Sequence, residues 1–280
     1  MTHLRKRYLE DLSLRNYSAR TLETYCDCVR RFAEYFRMSP ELLGPEHIRQ
    51  YLLFLLNEKK SSWAWYNQTV CALRFLYSVT LKKDWAVERI PFGRKTSTLP
   101  VVLSIEEVSR LLDAVKHPIY KTILSTIYSS GIRVSEACNL QASDIDSHRM
   151  LIRIRQGKGK KDRYVILSER VLALLRNHWK QYRPALWLFE GSAPDRHVEI
   201  ESVQRACAQA RKAAGIQKKA TPHTLRHCFA THLLEQGSNI RVIQILMGHK
   251  SLGTTSKYLH VSPTVIAATT SPFDSLPVQE

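Results

Sequence analysis

The stretch from residue 223 to residue 258, HTLRHCFATHLLEQGSNIRVIQILMGHKSLGTTSKY, decides how the rest of the chain is interpreted. It contains four polar groups of chemical interest, His223, Arg226, His249 and Tyr258, which are joined by short apolar helical patterns. His223 and Arg226 are three residues apart and therefore share one face of a helix. Two imidazoles, a guanidinium and a phenol predict a phosphate-handling site that carries its own nucleophile.

The start of this stretch predicts the beginning of a helix. Thr221 is expected to be the N-cap and Pro222 to occupy the first helical position. His223 and Arg226 would then lie at the N-terminal end, where the helix dipole favours an anion. Gly237 is expected to end the helix.

Composition and charge narrow the possible partners. The chain has 280 residues and a formal net charge of +17, which favours about two domains and a polyanionic partner such as nucleic acid. A membrane surface is the rival partner, but no apolar run approaches the roughly 20 residues that a spanning helix needs, and no signal peptide is recognisable. The six cysteines form no C-x-x-C pair and are interpreted as reduced, buried thiols. A cytoplasmic protein without a membrane partner is expected.

Residues 1–88 are predicted to form a helical domain. Ser18 is a candidate N-cap for a helix whose apolar positions recur every three or four residues up to Phe36. A second apolar stripe begins at Ile48, and a third helix is expected from Ser61 or Ser62 to about Leu81. A basic helical module could clamp DNA, although many such modules bind proteins instead.

Residues 89–103 are interpreted as a linker, because neither a helical nor a strand period continues through them. Ser104 and Glu107 then form a capping box that opens the second domain. Arg133 and Glu136 follow an apolar helix and Gly131. They could be a simple surface ion pair, or Glu136 could orient an arginine that is needed for function.

The hydrophobic period changes to two in residues 148–168, which predicts a β-hairpin with the tip QGKGKKD. Lys158 lies in this tip, between two glycines. It could be part of a solvated basic turn, or it could present its ammonium group to DNA phosphates. The tip is not a P-loop, because the G-x-x-x-x-G-K-[ST] pattern is absent.

The chemistry of these residues suits phosphoryl transfer without a metal ion. Arginines can hold the charge that develops on a phosphate, and a phenol needs a base or a positive field before it can attack. No acidic cluster predicts a magnesium site. Zinc bound by His223, His227 and His232 is a weaker alternative, because the glutamate of an H-E-x-x-H motif is missing and Arg226 would repel a cation. His227 and His232 are therefore expected to be structural.

Four motifs together resemble the tyrosine recombinases, the phage integrase family: GIRVSEACNL, GKGKKDRYV, HTLRHCFATHLLEQG and LMGHKSLGTTSKYLH. The resemblance covers the predicted catalytic domain, 104–262, and extends more faintly to residues 1–88, which are similar to the family's core-binding domain. It implies a mainly α fold with a small β component. The tail, 263–280, is short and would be a possible contact between protomers.

The resemblance implies a role for each motif residue. Tyr258 would attack the scissile phosphate and form a 3′-phosphotyrosyl bond, while Arg133 and Arg226 would hold the non-bridging oxygens. Lys158 would protonate the departing 5′ oxygen.

Three further residues would support this chemistry. His223 would assist proton transfer at the tyrosine, and Glu136 would support Arg133. His249 would hydrogen-bond the phosphate or help to orient the site. No metal, ATP or other cofactor is implied.

The implied partner is double-stranded DNA with paired recombination sites. Strands would exchange through a Holliday junction, in a homotetramer. The compact layout is similar to Xer-type or transposon-associated members, and a host origin and a mobile-element origin both stay open. Two alternatives stay open at this stage: a type IB topoisomerase, which uses the same nucleophile chemistry, and a non-catalytic DNA-binding protein on the same fold.

Overall fold

The chain is described by a computed structural model in residues 2–83, 85, 90, 92–93, 100–155, 162–193, 196–249 and 251–258. It divides into two compact units, Met1–Ser97 and Thr98–Glu280. This division falls within the segment predicted to be a linker, while the bounds of the individual domains stay a prediction. Among the helices in the described ranges, none is both long and apolar enough to cross a membrane.

The first unit is helical throughout its described secondary structure. Its elements are α1 (His3–Leu14), α2 (Ala19–Phe36), a 3-10 turn (Pro40–Leu42), α3 (Pro45–Asn57) and α4 (Trp63–Phe75), which continues into a π-helical turn (Leu76–Thr80). Aromatic and aliphatic side chains from all four helices form one core.

Local capping determines where two of these helices begin. The Ser18 hydroxyl accepts a hydrogen bond from the amide of Thr21, and the Ser62 hydroxyl accepts one from Trp65. Ser18 was predicted as a cap, and the helix that Ser62 caps was expected to begin at Ser61 or Ser62. Helix α1 was not predicted, because its apolar stripe is short: only Tyr8 and Leu12 are buried on it.

The second unit combines helices with one small sheet. Its elements are α5 (Ile105–Asp113), α6 (Pro118–Ser130), α7 (Val134–Cys138), a 3-10 turn (Ala142–Asp144), β1 (Ile145–Asp146), β2 (Leu151–Ile154), β3 (Arg163–Ile166), α8 (Glu169–Tyr182), α9 (Ile200–Ala213), α10 (Pro222–Glu235), α11 (Ile240–Met247), α12 (Leu252–Thr255) and a 3-10 turn (Ser256–Tyr258). The prediction of a mainly α fold with a small β component is confirmed.

The predicted hairpin is an antiparallel pair, β2 and β3, in which Ile152 lies opposite Val165. Strand β1 pairs with the other edge of β2 and gives the strand order β1-β2-β3. The sequence did not predict β1, because a strand of two residues has no detectable period. The hairpin tip that contains Lys158 lies outside the described residues.

One turn in the second unit positions the predicted arginine motif. Helix α6 ends at Gly131, which has a φ of 65°, and Ile132 behind it is fully buried. A Cβ at Gly131 would lie 2.3 Å from the ring of Phe229 on α10. Glycine therefore allows the chain to turn against α10 and brings Arg133, the N-cap of α7, close to that helix.

Candidate active site

Helix α10 carries three of the polar side chains at the site. The Thr221 hydroxyl accepts a hydrogen bond from the amide of Thr224, and Pro222 occupies the first turn, as the sequence predicted. The helix ends at Glu235, slightly before the predicted stop at Gly237. Arg226, in the second turn, has only 1% of its surface exposed, which is unusual for an arginine.

The guanidinium of Arg226 ties three parts of the unit together. It donates hydrogen bonds to the carbonyl of Gly131 at the end of α6 and to the carbonyl of Met247 at the end of α11. Its Nη2 lies 3.4 Å from Nε2 of His249. Its Nε has no hydrogen-bond partner among the described residues. This buried donor and its charge would suit an anionic ligand.

Burial lowers the pKa of Arg226 to about 10, and the positive charge of Arg133 acts in the same direction. The group is therefore still protonated at neutral pH. Its nearest carboxylate is that of Glu136, whose Oε2 lies 3.9 Å from Nη1 of Arg226. At this distance Glu136 is a counter-ion for Arg226. The carboxylate makes its shorter contacts with Arg133 and Arg163.

Glu136 accepts hydrogen bonds from two other residues. The backbone amide of Arg133 donates to Oε2 at 2.8 Å, and Nη1 of Arg133 donates to Oε1 at 2.7 Å. The guanidinium of Arg163 donates to both oxygens, at 2.9 and 2.8 Å. Burial alone would raise the pKa of Glu136, but the hydrogen bonds and charge of Arg163, followed by those of Arg133, hold it at about 2. Glu136 is thus a carboxylate shared by three guanidinium groups.

Arg163 is part of this network although sequence reasoning did not select it. It begins strand β3, is 12% exposed in its side chain, and donates from Nε to the carbonyl of Leu246 at 3.1 Å. Arg163 and Val165 lie on the same face of β3, and Val165 is fully buried. A charged residue on the buried face of a predicted strand needs a buried partner. This alternation could have identified Arg163 as a candidate site residue from the sequence.

Tyr258 is buried in the second unit, with 1% of its surface exposed. It packs in a cluster with Phe229, Ala230 and Met247. Its hydroxyl lies 2.8 Å from Nδ1 of His227. Burial raises the pKa of Tyr258 to about 12, although the nearby charge of Arg226 lowers it in part. The phenol is therefore protonated at neutral pH and needs a proton acceptor before it can act as a nucleophile.

His249 lies between Arg226 and the tyrosine. Gly248, with a φ of 60°, ends α11 and turns the chain so that His249 returns towards α10. Nδ1 of His249 is 2.9 Å from the hydroxyl of Thr255, and its ring stacks on that of Tyr258 with centroids 6.5 Å apart. Thr255 is fully buried and fixes the orientation of the imidazole.

The structure brings most of the predicted site residues into one connected group. Five of them form a series of contacts, which runs from Arg133 to Glu136, Arg226, His249 and Tyr258.

His223 joins this group through His227, whose ring lies edge-on to it with centroids 4.4 Å apart. His227, which was expected to be structural, has its imidazole in contact with the Tyr258 hydroxyl. The helical period of α10 did not predict this contact, because His227 and Tyr258 are 31 residues apart in the chain. Lys158 lies outside the described residues.

His232, the third member of the zinc alternative, is engaged elsewhere. Its Nδ1 lies 3.0 Å from the hydroxyl of Tyr128, and its Nε2 lies 3.0 Å from the carbonyl of Leu103. Among the described residues, no group of three or more His, Cys, Asp or Glu side chains is arranged to hold a metal ion.

Comparison with known proteins identifies the chain. The profile of the phage integrase family matches residues 102–264, and that of the phage integrase N-terminal SAM-like domain matches residues 4–87. The integrase/recombinase y4qK of Sinorhizobium fredii, so named provisionally, is 45% identical over 278 residues, which cover 99% of this chain and 90% of the relative. Tyrosine recombinase XerC of Thermodesulfovibrio yellowstonii is 33% identical, with coverage of 87% and 86%.

Solved structures show the same architecture. The crystal structure of XerA recombinase has 31% sequence identity, a TM-score of 0.55 and coverage of 94% of this chain and 95% of that chain. The lambda integrase(75-356) dimer bound to a COC' core site has a TM-score of 0.73 at 20% identity, with coverage of 91% and 93%, and shows the likeness of fold.

These matches, with the fold described above, define the class of the protein: it is a tyrosine-type site-specific recombinase. Within that class, the chain belongs to the phage integrase family.

Proposed function

We propose that this recombinase cleaves and rejoins double-stranded DNA at specific paired sites, with Tyr258 as the nucleophile. The observation that carries the proposal is the placement of the Tyr258 phenol next to His249 and within the field of Arg226. A nucleophile, a hydrogen-bonding imidazole and a fixed positive charge are the groups that attack on a phosphodiester requires.

The charge balance of the site supports a phosphate as the ligand. Arg133, Arg163 and Arg226 surround the single carboxylate of Glu136, so the group has an excess of positive charge. We assign Arg133 and Arg226 to the non-bridging oxygens. The side chain of Arg133 is 24% exposed and can meet DNA, and Arg226 retains an unpartnered Nε among the described residues. His249, beside Nη2 of Arg226, would donate a further hydrogen bond.

Two further roles rest on the family resemblance. Lys158, which lies between β2 and β3 in the sequence, would protonate the departing 5′ oxygen. His223 would assist proton transfer at the tyrosine, and its contact with the ring of His227 is compatible with an indirect part in this transfer.

The reaction conserves the energy of the DNA backbone. The bond from Tyr258 Oη to phosphorus forms as the bond from phosphorus to the 5′ oxygen breaks, and the 5′ oxygen takes up a proton. The 5′ hydroxyl of the partner duplex then attacks the phosphotyrosyl bond, so strands exchange through a Holliday junction without ATP. Four copies of the chain would act on two DNA sites. An enzyme with this substrate would work in the cytoplasm, alongside the DNA.

The first part of the test is to find the DNA site. The Tyr258→Phe variant, which keeps the ring but lacks the nucleophile, would be used to enrich bound sequences from a random duplex pool. Affinity for the selected duplex should fall steeply with salt, because lysines and arginines that contact phosphates release counter-ions. A flat salt dependence would contradict DNA binding through the basic surface.

The second part is to trap the covalent intermediate. A nicked duplex that contains the selected site should give a protein–DNA adduct on a denaturing gel with the natural chain and none with Tyr258→Phe. An adduct with Tyr258→Phe would exclude Tyr258 as the nucleophile. Relaxation of plasmids that lack the site, without any recombinant product, would favour a topoisomerase.

A further inference from the structure

His227 makes a direct contact with the atom that is proposed to attack DNA. Its Nδ1 lies 2.8 Å from the hydroxyl of Tyr258, which is within hydrogen-bond distance. The two rings lie 5.6 Å apart at an angle of 52°. His227 is three positions before Ala230, which packs around the same tyrosine. The contact therefore lies at the edge of a buried cluster and not on an open surface.

The state of the phenol makes this contact chemically significant. Tyr258 is buried, and burial raises its pKa, so the hydroxyl keeps its proton at neutral pH. The phenol must lose this proton as it attacks phosphorus. A histidine with its proton on Nε2 offers an unprotonated Nδ1, which can accept a hydrogen bond and then the proton itself.

We propose that His227 is the general base of the cleavage step, and this inference rests on the proposed function of Tyr258. The proton passes from Tyr258 Oη to Nδ1 of His227 while Oη bonds to phosphorus. The bond from phosphorus to the 5′ oxygen breaks, and that oxygen receives its proton from a separate acid. In the rejoining step the imidazolium of His227 returns the proton to the departing phenolate.

The surroundings of His227 explain why it, and not His223, is assigned this role. The ring of His223 contacts the ring of His227, whereas Nδ1 of His227 contacts the hydroxyl itself. Among the described residues, the other charged or titratable groups of the site that face this region are Arg226 on the same helix and His249, whose ring stacks on Tyr258. His223 would then tune the basicity of His227 without taking the proton directly.

The decisive variant is His227→Asn, because the asparagine amide can replace Nδ1 as a hydrogen-bond partner but cannot accept a proton. The measurement is the single-turnover rate of adduct formation on the nicked duplex, from pH 5 to pH 9. The natural chain should lose rate as the pH falls through the range in which an imidazole takes up a proton. His227→Asn should be slower by roughly 100-fold or more and should lack this acidic limb.

Two comparison variants make the result specific. His223→Asn should retain the acidic limb even if its rate is reduced. His117→Asn should behave like the natural chain, because His117 caps the N-terminal end of α6, opposite the end at Gly131, and asparagine is itself a good N-cap. His227→Gln provides a second replacement in case the asparagine variant folds poorly.

A substrate with sulfur in place of the departing 5′ oxygen separates the base from the acid. A thiolate leaves without being protonated, so this substrate should rescue a Lys158 variant but leave His227→Asn slow. A His227→Asn chain that is slow but keeps its acidic limb would show a merely structural role and overturn the inference, as would a natural rate. If the natural chain itself forms no adduct, the proposed function fails instead.

Discussion

Arg163 and Glu136 form a two-pronged ion pair across 27 residues of sequence, with both guanidinium Nη atoms within 2.9 Å of a carboxylate oxygen. The same guanidinium holds the carbonyl of Leu246, near the end of α11. Arg163 thereby connects the helix that bears Arg133 with the turn that bears His249. Arg163 therefore fixes the position of the two halves of the site relative to each other. Its own hydrogen bonds go to Glu136 and Leu246.

Replacement of Arg163 by lysine should therefore impair both folding and catalysis. Lysine keeps the charge but cannot form the two parallel bonds and also reach Leu246. We expect a loss of about 1–3 kcal/mol in the free energy of unfolding, as for hydrogen bonds to charged groups, and slower adduct formation. Urea denaturation and the nicked-duplex assay measure these effects. Arg153→Lys, which alters an exposed pair with Asp162, is the control and should change neither. Equal behaviour of the two variants would contradict the role given to Arg163.

Glu136 should make the stability of the second unit depend on acid. Its folded pKa of about 2 lies below the ordinary value of 4.5, so its ionised form stabilises the fold above about pH 4.5. That contribution should be lost as the pH falls from about 5 towards 2. Glu136→Gln should flatten the decline in the free energy of unfolding over this range, by as much as about 3 kcal/mol. Denaturation series at several pH values would test this, and identical slopes for the two chains would refute it.

Thr255 should control the orientation of His249. Thr255→Val keeps the shape of the side chain but removes the hydroxyl that lies 2.9 Å from Nδ1 of the histidine. We expect about 1–2 kcal/mol of lost stability and a lower rate of adduct formation, because the imidazole becomes free to rotate. Thr255→Ser keeps a hydroxyl and should retain most of the rate. If valine and serine give the same rate, the hydrogen bond has no part in catalysis.

Gly131 should tolerate no side chain. Alanine there must adopt a φ of 65° and would place its Cβ 2.3 Å from the ring of Phe229. Gly215→Ala is a matched control, because Gly215 has a φ of 67° and open space around its Cβ position. The control should lose about 1–2 kcal/mol from backbone strain, and Gly131→Ala distinctly more. Thermal or urea unfolding would measure the difference, and equal losses would show that Phe229 moves aside without cost.

Much of the fold was predictable because its signals are local. Ser18, Ser104 and Thr221 each precede an apolar helical period and each caps the helix that the sequence predicted. Gly131 likewise marked the end of α6, because glycine is the residue that most readily adopts the positive φ found at helix ends. Helix α1 was missed because its buried stripe comprises two residues, and strand β1 because two residues cannot show a period.

Site residues could be selected from the sequence where their side chains have distinctive chemistry. Residues that join the site only through contacts distant in sequence could not be selected in this way. The guanidinium, imidazole and phenol groups of Arg226, His249 and Tyr258 were visible in the sequence. The partnership of His227 with Tyr258 joins α10 to the turn at the end of the described region, and that of Arg163 with Glu136 joins a strand to a helix. Neither follows from spacing along the chain, because packing of the unit creates both.

The burial of Arg226 has an evolutionary consequence. A guanidinium that joins the ends of α6 and α11 would be retained by selection for folding alone, even in a descendant that no longer cuts DNA. The persistence of this arginine in a degenerate copy of the protein would therefore be poor evidence of activity. The hydroxyl of Tyr258, the proposed nucleophile, would be the better marker, because phenylalanine could fill its place in the core but would lack the attacking oxygen.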